Sequence, residues 1–250
     1  MFFKIVLLVL VFFGGSLANP VVKGKIGEAK VSLLLKRLNN NEYYVINDLL
    51  LETEKGTTQI DHVVVSIYGV FVIETKNYKG WIFGAERSKK WTQVIYKRKH
   101  TFMNPVHQNY GHMKSLEEVL GKTYSHPFCS IISFSSKSTL KDITIASPLI
   151  HVVNNFHLLN TIKMYDERLI SNANMKGIIY KLNHHNIEDR TRRENHVINV
   201  KEKQERIRQK VKEMKCPNCG GELIDRIGKY GTYKGCKSFP ECRFTYNRTS

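Results

Sequence analysis

The chain is short of acid. Its 250 residues hold 22 Asp and Glu against 39 Lys and Arg, a formal charge of +17. That imbalance leaves the fold open but favours polyanionic partners, nucleic acid or an anionic membrane. A solvated basic surface without a specific partner is the alternative. Internal repeats are absent, which excludes stacked-repeat architectures. Before Cys216 the only cysteine is Cys129, in the apolar stretch "HPFCSIISFSS". Nothing near it suggests a nucleophile's base, so it reads as a small core residue. Phe, Tyr and Trp are missing from "HHNIEDRTRRENHVINVKEKQERIRQKVKEMK", His184 to Lys215. A stretch this charged and this poor in aromatics is a linker or a solvated helix, and it divides the chain.

What is present suffices for one sizeable core, since 42% of the residues are hydrophobic, and for one small accessory module. The first segment, "MFFKIVLLVLVFFGGSLA", stands outside that core. As a secretory signal it has a short apolar run and Ser16-Leu17-Ala18 as a cleavage site. As a membrane anchor it extends over residues 1–22, close to the roughly 20 residues a span needs. Lys23 and Lys25 follow it and favour a single-pass helix with the rest of the chain on the cytoplasmic side. Export after cleavage is the alternative.

Further along, "KGKIGEAKVSLLLKRLNN" predicts an amphipathic helix from about Ile26 to Leu38, and "EYYVINDLLLE" predicts a strand. Short strands are expected in "GWIFGAERSKKWTQVIYKRKHTFM", in "HPFCSIISFSS" and in "DITIAS". Asn104-Pro105 pairs a capping residue with a first-turn proline, so a helix should start there and end at Gly121. Asn155 to Leu182 is mostly helical in pattern.

The C-terminal segment carries Cys216 and Cys219, then Cys236 and Cys242, as C-x2-C and C-x5-C. Two close pairs on turns can give Zn²⁺ four thiolates, and a segment so poor in large apolar residues needs such a staple. Disulfides would need an oxidising compartment. A site closed by four thiolates is structural. Around it Arg226, Lys229, Lys234 and Arg243 interleave with Tyr230, Tyr233, Phe244 and Tyr246. Cations and stacking aromatics together furnish single-strand-binding surfaces, although the same aromatics could make the small core.

The stretch "QIDHVVVSIYGVFVIETK", Gln59 to Lys76, alternates like a hairpin yet carries Asp61, Glu74 and Lys76. With Tyr68-Gly69 as the turn, Val65 faces Val72 and Asp61 faces Lys76, so the three charged groups leave one face. Two close carboxylates call for a cation between them, and Mg²⁺ or Mn²⁺ prefers such oxygen ligands. Lys76 would then orient water or neutralise a phosphate. A cross-strand Asp61–Lys76 pair with a solvated Glu74 is the plain alternative. Glu28 lies on the apolar stripe of the early helix, and Gln108 in the first turn of the Asn104-capped one. His62 should point away from Asp61. His100, His107 and His112 read as surface residues, and Lys97, Arg98 and Lys99 as contacts for a DNA backbone.

Two resemblances follow from these residues. "CPNCG", "RIG", "GTYKGC" and "PEC", spanning Cys216 to about Asn247, resemble the four-cysteine zinc finger of bacterial type IA topoisomerases. That resemblance implies that Cys216, Cys219, Cys236 and Cys242 bind zinc and that the finger binds DNA, preferably single-stranded; which aromatics touch DNA stays open, with Arg226, Tyr233 and Phe244 the candidate contacts that the interleaved cations and rings offer. "GE" at Gly27, "IDHVVV", "GVFVIETK", "GWIFG" and "NPVHQ" resemble the nuclease-related domain, NERD, grouped with the PD-(D/E)xK nucleases. It implies an α/β (α+β) fold, a mixed sheet flanked by helices. Asp61 and Glu74 would be its metal carboxylates, Lys76 the lysine of E-x-K, Glu28 the helix acid and Gln108 the downstream glutamine. Isoleucine, not proline, precedes Asp61.

The expected organisation is a hydrophobic anchor or signal helix at 1–22, the nuclease-like domain at 23–135 and its extension at 136–185. A charged linker helix at 186–214 and a zinc ribbon at 215–250 complete it. The expected function is Mg²⁺- or Mn²⁺-dependent DNA hydrolysis with one structural Zn²⁺, on single-stranded or frayed DNA. A membrane-tethered DNA-binding scaffold without activity is the alternative.

Overall fold

In a computed structural model, residues 20–54, 56–121, 128–228 and 231–246 are described. Contacts divide the chain into two units, Met1–Ile187 and Glu188–Ser250. The expected anchor falls almost wholly outside the described residues, and no described helix is long and apolar enough to cross a membrane.

The first unit is built on a mixed five-stranded sheet in the order β1-β2-β3-β7-β9. Strands β1 (Tyr43–Thr53), β2 (Gly56–Ser66) and β3 (Gly69–Lys76) form an antiparallel meander. Strands β7 (Phe128–Phe134) and β9 (Ile150–Asn154) join it in parallel. Val, Ile and Phe fill these strands because both sheet faces are covered. Val63, Val65, Val70 and Val72 pack against α2 (Pro105–Leu120) and α4 (Asn172–His185), through Leu116, Leu120, Ile178 and Leu182. Val64, Phe71 and Ile73 look the other way, onto Val31 and Leu35 of α1 (Pro20–Leu35) and Leu158 and Ile162 of α3 (Leu158–Lys163). The result is three layers, helices on both faces of one sheet. A second sheet, β6-β5-β4-β8, comprises β4 (Gly80–Ala85), β5 (Lys90–Ile95), β6 (Arg98–Met103) and β8 (Ser138–Thr144). It meets the first through Ile82, Trp91 and Phe134, with Trp91 and Phe134 stacked at 6.1 Å.

Two expectations need correction. The early helix spans Pro20–Leu35, not Ile26 to Leu38, because the backbone turns tightly at Arg37 and Leu38. Asn155 to Leu182 is mostly helical as expected, although the strand β9 before it was not foreseen. The hairpin turn is Ile67-Tyr68, with Ser66 opposite Gly69 and Val65 opposite Val70. Ser66 explains the shift. Its Oγ accepts the Tyr68 N–H at 3.1 Å and donates to the Gly69 carbonyl at 3.0 Å, closing the turn one residue early.

Asn104 caps α2 as its sequence predicts, accepting the Val106 N–H at 2.9 Å. Its amide also donates to the carbonyls of Glu86 and Ser88 at 2.8 and 2.7 Å, pinning the β4–β5 turn to the start of α2. The rotation of α2 is thereby set, and with it the side chains it presents to β3. At the helix middle, buried Asn109 donates to the Val72 carbonyl and to Ser130 Oγ, both at 2.8 Å.

The second unit holds α5 (Arg190–Lys212) and a three-stranded sheet of β10 (Leu223–Gly228), β11 (Gly231–Cys236) and β12 (Thr245–Tyr246). Val211 and Ile207 of α5 pack against Leu223, Phe244 and the buried cysteines.

Candidate functional site

Pairing of β2 with β3 ends at His62 opposite Ile73. Beyond that point the strands part, and side chains take over the ladder. Asp61 Oδ2 accepts the Thr75 N–H at 2.7 Å. Glu74 and Lys76 follow the alternation of β3 onto the α2 face, where Glu74 is only 3% exposed. Lys76 Nζ lies 2.6 Å from Glu74 Oε1 and 2.9 Å from Gln108 Oε1. The other Glu74 oxygen is 3.2 Å from His112 Nε2, and His112 Nδ1 is 3.1 Å from Thr58 Oγ1. An ionised carboxylate only accepts, so His112 carries its proton on Nε2.

The charges are correspondingly uneven. Burial pushes Asp61 up, and the neighbouring Glu74 adds to it, to about 8 despite the Thr75 hydrogen bond. Burial pushes Glu74 the same way, but Lys76 and His112 outweigh it and hold Glu74 below its ordinary value. Burial pulls Lys76 down, yet Glu74 keeps it above its ordinary value. One acid therefore stays charged while its neighbour keeps a proton, the pattern of two carboxylates sharing a low-dielectric site.

Glu28 reaches this cluster from the other side. Gly27 makes that approach possible, since a Cβ there would lie 2.7 Å from Asn77 Cβ. Asn77 Nδ2 donates to the Lys23 carbonyl at 2.6 Å, tying the start of α1 to the end of β3. Burial raises the Glu28 pKa, followed by the negative charges of Asp48 and Glu74. The expected arrangement, with all three charged groups on one face and Glu28 above them, is thus corrected. Glu74 and Lys76 face α2, Asp61 fills the gap between parting strands, and Glu28 belongs to the opposite layer.

Two neighbours were missed or misread. Asp48 lies on β1 between the Asn47–His62 and Leu49–Ile60 pairs, in a left-handed conformation, φ 55°, and is bonded by Gln59 Nε2. His112, expected on the surface, is buried against Glu74. The spacing Gln108, His112, Leu116, Leu120 is one residue per helical turn, and that stripe could have revealed it. His62 is buried with Nδ1 2.7 Å from Asn47 Oδ1, and burial lowers it to about 4. It is a neutral core residue. Burial pushes the Cys129 thiol up to about 11, which leaves it inert. Lys97, Arg98 and Lys99 lie exposed at the β5–β6 turn and on edge strand β6.

In the second unit the four cysteine sulfurs lie within 4.8 Å of one another, with Cys216–Cys242 at 3.5 Å and Cys219–Cys236 at 3.4 Å. A tetrahedron with arms of about 2.3 Å has edges of about 3.8 Å, so the thiols fit one zinc. Among the described residues no trio of His and acidic groups converges as closely. Phe244 packs into the small core of the ribbon. Arg226 donates to the Cys236 carbonyl at 3.1 Å and lies over the Phe239 ring, bracing the second knuckle. Tyr233, directly opposite Arg226, is half-buried.

A layered α+β unit with paired carboxylates and a lysine, joined to a four-thiolate ribbon, defines a two-module chain. The nuclease-related domain family matches residues 23–135, and the topoisomerase DNA binding C4 zinc finger matches residues 213–250. A protein of Bacillus anthracis, described as uncharacterized, is 39% identical over 179 residues, 71% of this chain and 84% of that one. The chain belongs to the nuclease-related domain family and ends in a topoisomerase-type zinc finger. Over that finger it is 64% identical to DNA topoisomerase 1 of Methanothermobacter thermautotrophicus across 31 residues, 12% of this chain and 4% of that enzyme. It is 48% identical across 29 residues to YrdD of Escherichia coli, again 12% of this chain and 16% of that protein. No solved structure matches the chain.

Proposed function

We propose that this chain is a Mg²⁺- or Mn²⁺-dependent nuclease of the PD-(D/E)xK type that hydrolyses DNA, with the zinc finger holding single-stranded or frayed strands. The observation that carries this reading is the Asp61–Glu74 pair. Its two acids are buried so close that Asp61 keeps a proton up to about pH 8. A divalent cation between the two acids would favour the ionised form of both. Asp61 and Glu74 are hard oxygen donors, and each Glu74 oxygen retains a lone pair beyond its present bond. When bound, a divalent ion would acidify a water and neutralise charge on the scissile phosphate.

The chain's own groups do the rest. His112 and Thr58 hold Glu74 in one orientation. Lys76, kept protonated beside Glu74, donates to a phosphate oxygen or to the attacking water. Gln108 fixes the Lys76 ammonium from α2. Glu28, across the gap, supplies a further acid, its pKa raised chiefly by burial. Lys97, Arg98 and Lys99 would meet the DNA backbone, and residues 1–22, followed by Lys23 and Lys25, would anchor the chain to a membrane with both modules on the cytoplasmic side.

A second reading, a DNA-binding scaffold without activity, is favoured by the closure of the present network. Both Glu74 oxygens and Lys76 already have partners within the protein. One experiment separates the two. Zinc-loaded protein is incubated with end-labelled single-stranded and duplex DNA, with and without Mg²⁺ or Mn²⁺. The nuclease reading expects cleavage that requires the added ion. Binding without cleavage under every metal condition supports the scaffold.

A further inference from the structure

In the second unit a groove of about 500 Å³ opens between the last turns of α5 and the ribbon sheet. Arg208, Val211 and Lys212 form its helical wall, and all three precede the residues matched by the zinc finger family. The groove is therefore made by the junction of helix and ribbon. Across the sheet Asp225 stands opposite Lys234, and Lys234 opposite Tyr246, so the three form one row on one face. Lys234 Nζ lies 3.0 Å from Asp225 Oδ1 and 2.9 Å from Met214 Sδ. Its size falls within the roughly 300–1,000 Å³ of sites that take one small group.

The row has a chemical sense. A cationic donor sits directly beside an anionic acceptor, next to a tyrosine ring that offers a stacking face. The edge that answers this pair has a carbonyl beside a ring N–H. Guanine and thymine carry that edge, and guanine adds an amino donor. Adenine and cytosine carry an amino group beside a bare ring nitrogen, which leaves Lys234 facing a donor and Asp225 facing an acceptor. Arg208 and Lys212 on the helical wall are exposed cations able to meet a flanking phosphate, although Arg208 also lies 3.5 Å from Glu205.

We propose that the groove between α5 and the ribbon is a base pocket for one unpaired nucleotide, which selects the keto bases guanine and thymine through Asp225 and Lys234. This rests on the reading of the finger as a DNA-binding module and assigns that module a site and a preference. Stacking alone accepts every base. The preference must therefore come from the paired charges, and Asp225 becomes the diagnostic residue. Removing an acid from a surface that binds a polyanion raises general affinity, whereas removing a base-reading acceptor abolishes discrimination.

The test is fluorescence anisotropy of the zinc-loaded full chain with labelled dT, dC and dA homo-oligonucleotides, without added Mg²⁺ or Mn²⁺. Wild type is expected to bind oligo-dT about fivefold more tightly than oligo-dC, the low end of discrimination by a paired base contact. Asp225→Ala is expected to bind both equally, with its affinity for oligo-dC no lower than wild type's. Tyr246→Ala is expected to weaken binding to every oligonucleotide. Equal binding of all three oligonucleotides by wild type, or a dT preference that survives Asp225→Ala, overturns the pocket while leaving DNA binding by the finger intact. No binding to any oligonucleotide overturns both.

Discussion

His112 Nε2 and Glu74 Oε2 lie 3.2 Å apart inside the protein, and Thr58 holds the other ring nitrogen of His112. A helix one layer above the sheet thus fixes the orientation of a carboxylate at the end of a strand. Partners of this kind typically change metal affinity or activity by about 10–100-fold when removed. His112→Ala should lower metal-dependent cleavage by a factor in that range. His112→Gln, which still offers an N–H, should recover most of it. Cleavage rates of the two variants against Mn²⁺ concentration check this, and equal loss in both would show that the hydrogen bond is irrelevant.

Asp61 links the site to pH. An unfolded aspartate titrates near 3.9, whereas in the fold Asp61 titrates at about 8. Between those values the folded protein holds a proton that the unfolded chain releases, so stability falls as pH rises from about 4 to about 8. Asp61→Asn keeps an acceptor for the Thr75 N–H and does not titrate. In metal-free protein, the melting temperature of Asp61→Asn should therefore exceed wild type's by more at pH 8 than at pH 5. A gap that stays constant with pH would contradict the shift.

Gly27 sets how closely α1 approaches β3. Any side chain there meets Asn77, and forcing extra volume into packed contacts costs about 1–3 kcal/mol. Gly27→Val should lower the melting temperature and displace Glu28 from the carboxylates, so that cleavage by the folded protein falls as well. Wild-type melting and wild-type activity in this variant would mean that α1 tolerates a different seat.

Zinc removal should act on one unit only. Four thiols with few apolar neighbours cannot hold the ribbon without metal, while the first unit has its own core on both faces of the sheet. Chelation of zinc, followed by calorimetry, should abolish one transition and leave the other unchanged. Loss of both transitions would contradict the independence of the two units.

The residues also show what a sequence can and cannot carry. The turn was misplaced by an even number of residues in the pairing, an error that side-chain alternation forgives, and Glu74 and Lys76, two apart on one strand, share a face whatever the register. Asp61 obeyed a different rule. Alternation assumes a continuing ladder, and here the strands separate where the acid sits. Beside it, Asp48 takes a left-handed conformation on the neighbouring strand, which no local pattern announces. Asn104-Pro105 was legible because capping is local chemistry. The further bonds of Asn104 to Glu86 and Ser88 were not, because they are tertiary. His112 was hidden in plain view, since a histidine among polar helix residues resembles a surface one until its spacing is aligned with Leu116 and Leu120. Phe244 and Arg226, candidate DNA contacts by composition, are used by the ribbon itself for packing and bracing.

The central claim is that Asp61 and Glu74 form a metal site that hydrolyses DNA. Its most direct test is the cleavage rate of wild type, Asp61→Ala and Glu74→Ala on the same DNA at saturating Mn²⁺, with folding of each variant verified by its melting curve. The account predicts metal-dependent cleavage by wild type and loss of that cleavage in both folded variants. Equal cleavage by all three would contradict it, as would a wild type that is folded, zinc-loaded and inactive with every divalent ion tried.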